Sequence, residues 1–259
     1  MKQRIITGFL IAAVVISTFL IGGWIRQTVI FAFIFVGLYE VYAIKEKQWP
    51  KLLYVLLAAA SFGLAVISDT YLLISLLGVM MLYFVISIMY EWFSVLDLSY
   101  LFMMTVIFAS ALKAIDLIVN ELNILFMIYL LVVTYMTDTG AYFTGYFFGR
   151  HKLNVRISPK KTIEGSIGGW LFGFGFGVLY AWLWVENVSF PTMIVLSLIC
   201  PVVGQLGDMA FSAIKRNFGI KDFGSIFPAH GGVLDRIDSL IFNLLLIYIF
   251  NVLTHMTLF

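Results

Sequence analysis

Asp138, Asp208, Asp235 and Asp238 are the residues whose type and position most suggest chemistry. Each lies in or beside an apolar run, where an ionised carboxylate costs about 3 kcal/mol on the insertion scale. Acids placed there usually mark function. Asp138 ends one run in Tyr135-Met-Thr-Asp-Thr-Gly-Ala-Tyr142, and Asp208 sits near the end of another in Gly204-Gln-Leu-Gly-Asp208. On a continuing helix Asp208, Ser212 and Lys215 share a face. Asp235 and Asp238, three apart, share another. Carboxylates converging from two helix ends, next to many cations, suggest a Mg²⁺ site that handles phosphates. Helix-end ion pairs and caps are the alternative reading. Glu40, inside an early apolar run, is read as interfacial or paired within the bundle, not catalytic.

Two polar segments supply the cations. Six positions of Gly149–Glu164 are Arg, His or Lys. Its end, Ser158-Pro-Lys-Lys-Thr-Ile-Glu-Gly165, opens a helix with Thr162 as a candidate cap, and the free N–H groups there favour an anion. An ordinary cytoplasmic loop would carry the same basic residues. The second segment, 210–238, holds Lys215, Arg216, Lys221 and Arg236. Segments 138–164 and 208–238 together contain 15 of the 30 charged residues.

The elements that must position these groups are membrane helices. Of 259 residues, 62% are apolar and 12% charged, and the mean hydropathy is +1.03. A soluble domain is nearer a quarter charged, and a disordered chain would not contain 25 Phe and 13 Tyr. A net charge of +2 gives no reason to expect a nucleic-acid partner. The single cysteine, Cys200, excludes an intramolecular disulfide and reads as a packed thiol.

Apolar runs predict an all-α polytopic membrane protein with about nine spans, near 5–23, 28–44, 51–67, 70–90, 98–115, 122–140, 166–185, 191–209 and 239–257. The first is read as a retained helix, since no Ala-x-Ala-like cleavage site follows it. Spans three and four are separated only by Ser68-Asp69, which predicts a tight hairpin or a re-entrant segment. With the N-terminus cytoplasmic and the C-terminus outside, 14 of the 16 Lys and Arg fall inside, a strong positive-inside signal. Residues 1–120 read as a membrane region of about five spans, and 121–259 as the catalytic region with cytoplasmic loops 149–165 and 210–238. Gly165, Gly169, Gly173 and Gly177, four apart, line one helix face for close packing; a phosphate-binding role is the weaker reading.

The loop from Ser212 reads Ser-Ala-Ile-Lys-Arg-Asn-Phe-Gly-Ile-Lys-Asp, then Pro228-Ala-His-Gly-Gly-Val-Leu-Asp-Arg-Ile-Asp238. It closely resembles the signature of the phosphatidate cytidylyltransferases, the CDP-diacylglycerol synthases. That pattern is Ser-x-x-Lys-Arg, four residues, Lys-Asp, then Pro-x-His-Gly-Gly-x-x-Asp-Arg-x-Asp. The Asp-Thr-Gly-Ala-Tyr and Ser-Pro-Lys-Lys-Thr-x-Glu-Gly stretches are similar to the same family's. The resemblance covers residues 130–240 firmly. Ala229 departs from the Gly expected in many members, and would strain the turn if φ is positive there.

The resemblance implies a nucleotidyltransferase of phospholipid biosynthesis. It condenses CTP with phosphatidic acid to CDP-diacylglycerol and pyrophosphate, using one or two Mg²⁺ ions, or a divalent ion with a monovalent partner. It implies Asp208 and Asp235 as metal ligands, with Asp238 as a third ligand or a supporting residue. Lys215, Arg216, Lys221 and Arg236 would hold phosphates of CTP or lipid, and Lys160 and Lys161 would clamp the triphosphate. Asp138 would bind metal, order the Lys-Lys loop or contact the nucleotide. Ser158, Ser212 and Asp222 belong to the same substrate-binding set. His230 either bonds a phosphate or is a turn residue, and Gly231-Gly232 either admit backbone N–H groups to a phosphate or only make the turn. The expected setting is the bacterial inner (plasma) membrane, with the site facing the cytoplasm, phosphatidic acid sliding in laterally from the bilayer and a homodimer as the suggested assembly. A CTP-dependent lipid kinase, a transporter and a CDP-alcohol phosphotransferase are the rivals. The first would release CDP, the second leaves the Lys and Arg unexplained, and the third lacks its Asp-Gly-x-x-Ala-Arg pattern here.

Overall fold

The computed structural model describes Thr18, residues 22–227 and residues 231–254. Among these residues there are eight α-helices and one short β-hairpin. The helices are α1 (Gly23–Ala43), α2 (Lys51–Val66), α3 (Asp69–Met89), α4 (Val95–Leu117), α5 (Ile124–Phe148), α6 (Ile163–Trp184), α7 (Phe190–Asn217) and α8 (Leu234–Thr254). Seven are long and apolar enough to cross a membrane. The exception, α2, has 16 residues, or about 24 Å at 1.5 Å per residue, short of a ~30 Å hydrocarbon core. The chain is therefore an all-α polytopic membrane protein. The expected first span, 5–23, lies almost entirely outside the described residues.

Two expected boundaries move. The run placed at 122–140 continues as helix to Phe148, so Asp138 lies inside α5 and not at its end. The charge ends the apolar run, but the backbone continues through Gly140 and Gly145 and stops only at Gly149. In the same way α7 continues past Asp208 to Asn217. It ends at Gly219, whose φ of +68° allows Ile220 N–H to reach Lys215 O (2.9 Å) and Gly219 N–H to reach Arg216 O (3.1 Å). This is a Schellman stop.

The chain divides into two compact units, Met1–Lys113 with Asp222–Arg236, and Ala114–Lys221 with Ile237–Phe259. In the first, α2 and α3 form the hairpin expected at Ser68-Asp69. Lys113 secures it, donating to Ile67 O (2.6 Å) and to Asp69 Oδ1 (2.8 Å). At the start of α4, Ser94 Oγ accepts from Asp97 N–H (3.3 Å) and Asp97 Oδ2 accepts from Ser94 N–H (3.1 Å), a reciprocal cap. Lys45 pairs with the same buried carboxylate.

In the second unit the glycine face of α6 packs on α5. A methyl group on Gly169 would stand 2.7 Å from Thr137 O, and one on Gly177 2.7 Å from Val133 Cγ2. The two backbones approach as small-residue interfaces allow when hydrocarbon surrounds the helices. Buried polar pairs fix neighbouring helices, Tyr129 with Ser197 (2.9 Å) and Asn243 Nδ2 donating to Thr134 Oγ1 (2.9 Å). Between α5 and α6 the basic loop forms an antiparallel hairpin, β1 (Lys152–Asn154) with β2 (Ser158–Thr162). The sequence alone suggests only a loop here.

Candidate active site

In the second unit a cavity of about 500 Å³ opens where α5, β2, α6 and α7 meet. Each wall follows from a local rule. Asp138, Tyr142 and Tyr146 line it from α5, four residues apart and so on one face. β2 contributes Lys160 and Lys161. Thr162 caps α6, its Oγ1 accepting from Gly165 N–H (3.1 Å), and Gly165 and Ser166 bring the helix's first turn to the cavity wall. That is the end of a helix that favours an anion. Gln205 and Asp208, three apart on α7, complete the wall.

The charges are already organised. Lys161 Nζ pairs with Asp208 Oδ2, and Ser212 Oγ donates to Asp208 Oδ1 (3.3 Å). Asp238, buried in the second turn of α8, lies within electrostatic range of Asp208, Lys215 and Asp138. Its Oδ1 accepts from Ser239 N–H (2.8 Å). Lys215 is buried too. Arg216 spends its guanidinium on main-chain carbonyls, Nε donating to Ile157 O (3.3 Å) and Nη1 to Ile220 O (3.0 Å). It thereby ties the hairpin to the end of α7. At the other end of the hairpin, Glu164 accepts from Arg150 N–H (3.1 Å) and bonds His151 Nδ1 (2.6 Å).

The signature loop 222–236 is built inside the first unit. Asp235 Oδ2 accepts from Phe223 N–H (2.8 Å) and Gly232 N–H (2.9 Å). Gly231 has φ +83°, and a methyl group there would stand 2.8 Å from Asp235 Oδ2. Beneath the loop lies buried Glu40. Its Oε1 accepts from Val233 N–H (2.9 Å) and its Oε2 from Leu234 N–H (2.8 Å). Glu40 is thus the N-terminal cap of α8, supplied from α1. The expectation that it pairs within the bundle holds, although its partners are backbone donors. No local spacing could have shown this, because the partners lie 193 and 194 residues away.

The structure therefore brings together Asp138, Lys160, Lys161 and Asp208 at one cavity, with Ser212, Lys215 and Asp238 adjoining Asp208. Within the first unit, Gly231, Gly232 and Asp235 form a loop assembly. Ser158 opens β2, opposite Asn154. Lys221, Asp222 and Arg236 are exposed. His230 and Ala229 lie outside the described residues, so the expectations placed on them do too. Sequence reasoning passed over Gln205, Ser166, Tyr142 and Tyr146 as cavity residues. The signal was present for three of them, since Gln205 is three before Asp208 and the tyrosines are four and eight after Asp138.

No three acidic, His or Cys side chains among the described residues stand ready as a metal cage.

Membrane-length helices bearing a polar cavity of cations and carboxylates define a polytopic membrane protein. The chain belongs to the cytidylyltransferase family, which it matches over residues 2–254. It is 29% identical over 259 residues to the phosphatidate cytidylyltransferase of Bacillus subtilis, covering 96% of each chain. It is also 43% identical over 124 residues to the phosphatidate cytidylyltransferase of Staphylococcus haemolyticus, covering 48% of each chain. To that of Staphylococcus saprophyticus it is 42% identical over 130 residues, 48% of this chain and 50% of the relative. The staphylococcal matches thus span about half the length of those relatives.

Proposed function

We propose that the protein is a CTP:phosphatidate cytidylyltransferase of the bacterial plasma membrane, with its site on the cytoplasmic side. A lipid phosphate oxygen attacks the α-phosphorus of CTP. The new P–O bond forms as the bond to the β-phosphate oxygen breaks, and pyrophosphate leaves in line. Phosphate is already a competent nucleophile, so the residues need only position two anions and neutralise charge. The observation that carries this reading is the cavity in which Lys160, Lys161 and the first turn of α6 meet Asp138 and Asp208.

Lys160 and Lys161 hold the triphosphate, and the first turn of α6 adds its positive end. Lys161 leaves Asp208 for a phosphate when CTP arrives. Lys215 balances the acids Asp208 and Asp238. Those two are the carboxylates that would hold Mg²⁺ beside the phosphates. When bound, the ion would offset the charge on the pyrophosphate leaving group. The sequence signature extends the metal assignment to Asp235, which within its own unit orders the loop backbone. The sequence signature assigns Lys221 and Arg236, both exposed, to phosphate headgroups.

The test supplies labelled CTP, Mg²⁺ and phosphatidic acid to the purified protein in detergent. Formation of CDP-diacylglycerol with one pyrophosphate per turnover is the expected result. Release of CDP, or no reaction with any lipid phosphate, would overturn the assignment.

A further inference from the structure

A second cavity adjoins the first. It is an apolar groove of about 330 Å³ between α6 and α7, lined by Ile167, Trp170, Val202, Leu206 and Met209. Leu153, Ser166 and Gln205 line both cavities. Ser166 and Gln205 form a closed polar pair at this shared wall, Ser166 Oγ donating to Gln205 Oε1 (2.6 Å) and Gln205 Nε2 donating to Ser166 O (3.2 Å). Trp170 reaches across from α6, its indole N–H donating to Leu198 O of α7 (3.0 Å). From Ser166 to Trp170 is one helical turn, about 6 Å along the axis.

We infer that this groove receives the ester-proximal carbons of the lipid substrate's acyl chain, with the Ser166–Gln205 pair at the junction of headgroup and tail. The inference rests on the lipid-phosphate reading above and adds a residue-level address for the lipid.

Continuity with the polar cavity identifies the occupant. A nucleotide has no hydrocarbon chain to lay along such a groove, whereas an amphiphile needs a polar chamber joined to an apolar one. Ile167, Val202 and Leu206 are exposed on helices of membrane-spanning length, so the groove offers its apolar side to a chain arriving from the bilayer. The junction also suits an ester. A carboxamide carries two N–H donors. One is used on Ser166 O, and the other suits the carbonyl of a fatty ester. Because Ser166 and Gln205 bond each other, only that second N–H needs a partner when an acyl chain excludes water from the groove, and the ester carbonyl supplies it. Only a turn's depth is available, so the groove reads the first carbons of the chain and leaves the remainder in the bilayer.

Two measurements test this on the full-length protein in phosphatidylcholine nanodiscs. In the first, phosphatidic acid carrying a diazirine on the acyl chain close to the ester is photolysed with the wild-type protein. Adducts are expected on the segments containing Ile167–Trp170 and Val202–Met209, and unlabelled phosphatidic acid should compete them away while extra phosphatidylcholine does not. Adducts confined to other helices, or competed equally by phosphatidylcholine, overturn the inference, the latter marking ordinary lipid-facing surface. In the second, Val202→Trp fills the groove, and Leu73→Trp adds the same bulk to an exposed face of α3. Val202→Trp is expected to raise the KM for phosphatidic acid about tenfold, the scale of a steric change in an apolar pocket, with the KM for CTP changed by less than about twofold. Leu73→Trp should move neither. An unchanged lipid KM in Val202→Trp, or an equal rise for both substrates, overturns the groove assignment. A wild-type protein that makes no CDP-lipid overturns the proposed function; an active wild type labelled elsewhere overturns the groove alone.

Discussion

Removing the Glu40 carboxylate should loosen the signature loop before it affects anything else. Glu40 is 2% exposed, and both of its oxygens accept from backbone N–H groups at the start of α8. Hydrogen bonds to an ionised group contribute about 1.5–3 kcal/mol each, so losing two costs about 3–6 kcal/mol. Glu40→Ala strands the Val233 and Leu234 amides in a place water does not reach. Glu40→Gln keeps one carbonyl acceptor and turns a donor towards the other amide, so about half the cost is expected. The close fit of the loop allows little repair: a methyl group on Gly232 would stand 2.6 Å from Glu40 Cδ. Hydrogen exchange of residues 222–236 in detergent reads the effect directly. At about 1.4 kcal/mol per decade, the Val233 and Leu234 amides should exchange at least ~100-fold faster in Glu40→Ala and about tenfold faster in Glu40→Gln. Less than a tenfold change in Glu40→Ala would refute the view that this carboxylate caps α8.

Other perturbations separate binding from scaffolding. Lys161→Met removes the partner of Asp208 and a proposed phosphate ligand; steady-state kinetics should show a KM for CTP raised about tenfold or more, the loss of one charge-assisted contact, with the KM for phosphatidic acid little changed. Thr162→Ala deletes the cap of α6 and should lower thermal stability by about 1 kcal/mol, seen as a reduced melting temperature. Gly169→Val places a branched side chain against the α5 backbone and should abolish the folded detergent-soluble protein, read by size-exclusion profile. Asp235→Asn should abolish turnover at ordinary Mg²⁺ while the protein still inserts, and near-normal activity would remove Asp235 from the metal role.

The helices were legible because hydrocarbon demands long apolar runs, and α3, α4 and α6 begin and end within a few residues of the expected positions. What the sequence blurred was where helices stop on the polar side. A charge such as Asp138 or Asp208 ends an apolar run without ending a helix; Gly149 and Gly219 end it. The cap at Thr162 was readable because its partner is three residues away. Lys161 with Asp208, and Glu40 with the start of α8, were not, since only the folded chain brings those segments together.

Glu40 also shows why a buried acid is weak support for catalysis when taken alone. The argument from membrane depth treats every such carboxylate as costly and hence functional, yet it distinguishes neither metal binding nor capping. Partner chemistry does distinguish them. The described partners of Glu40 are backbone N–H groups, so it satisfies donors that a helix start leaves open. Asp208 differs, because its described partners are a lysine and a hydroxyl on side chains, which can turn away when a phosphate or a metal ion arrives. Side-chain partners are exchangeable and backbone partners are not without unwinding the element. On that criterion Asp208, with Lys161 beside it, is where substrate chemistry should be sought, and Glu40 is the residue that keeps the signature loop in shape.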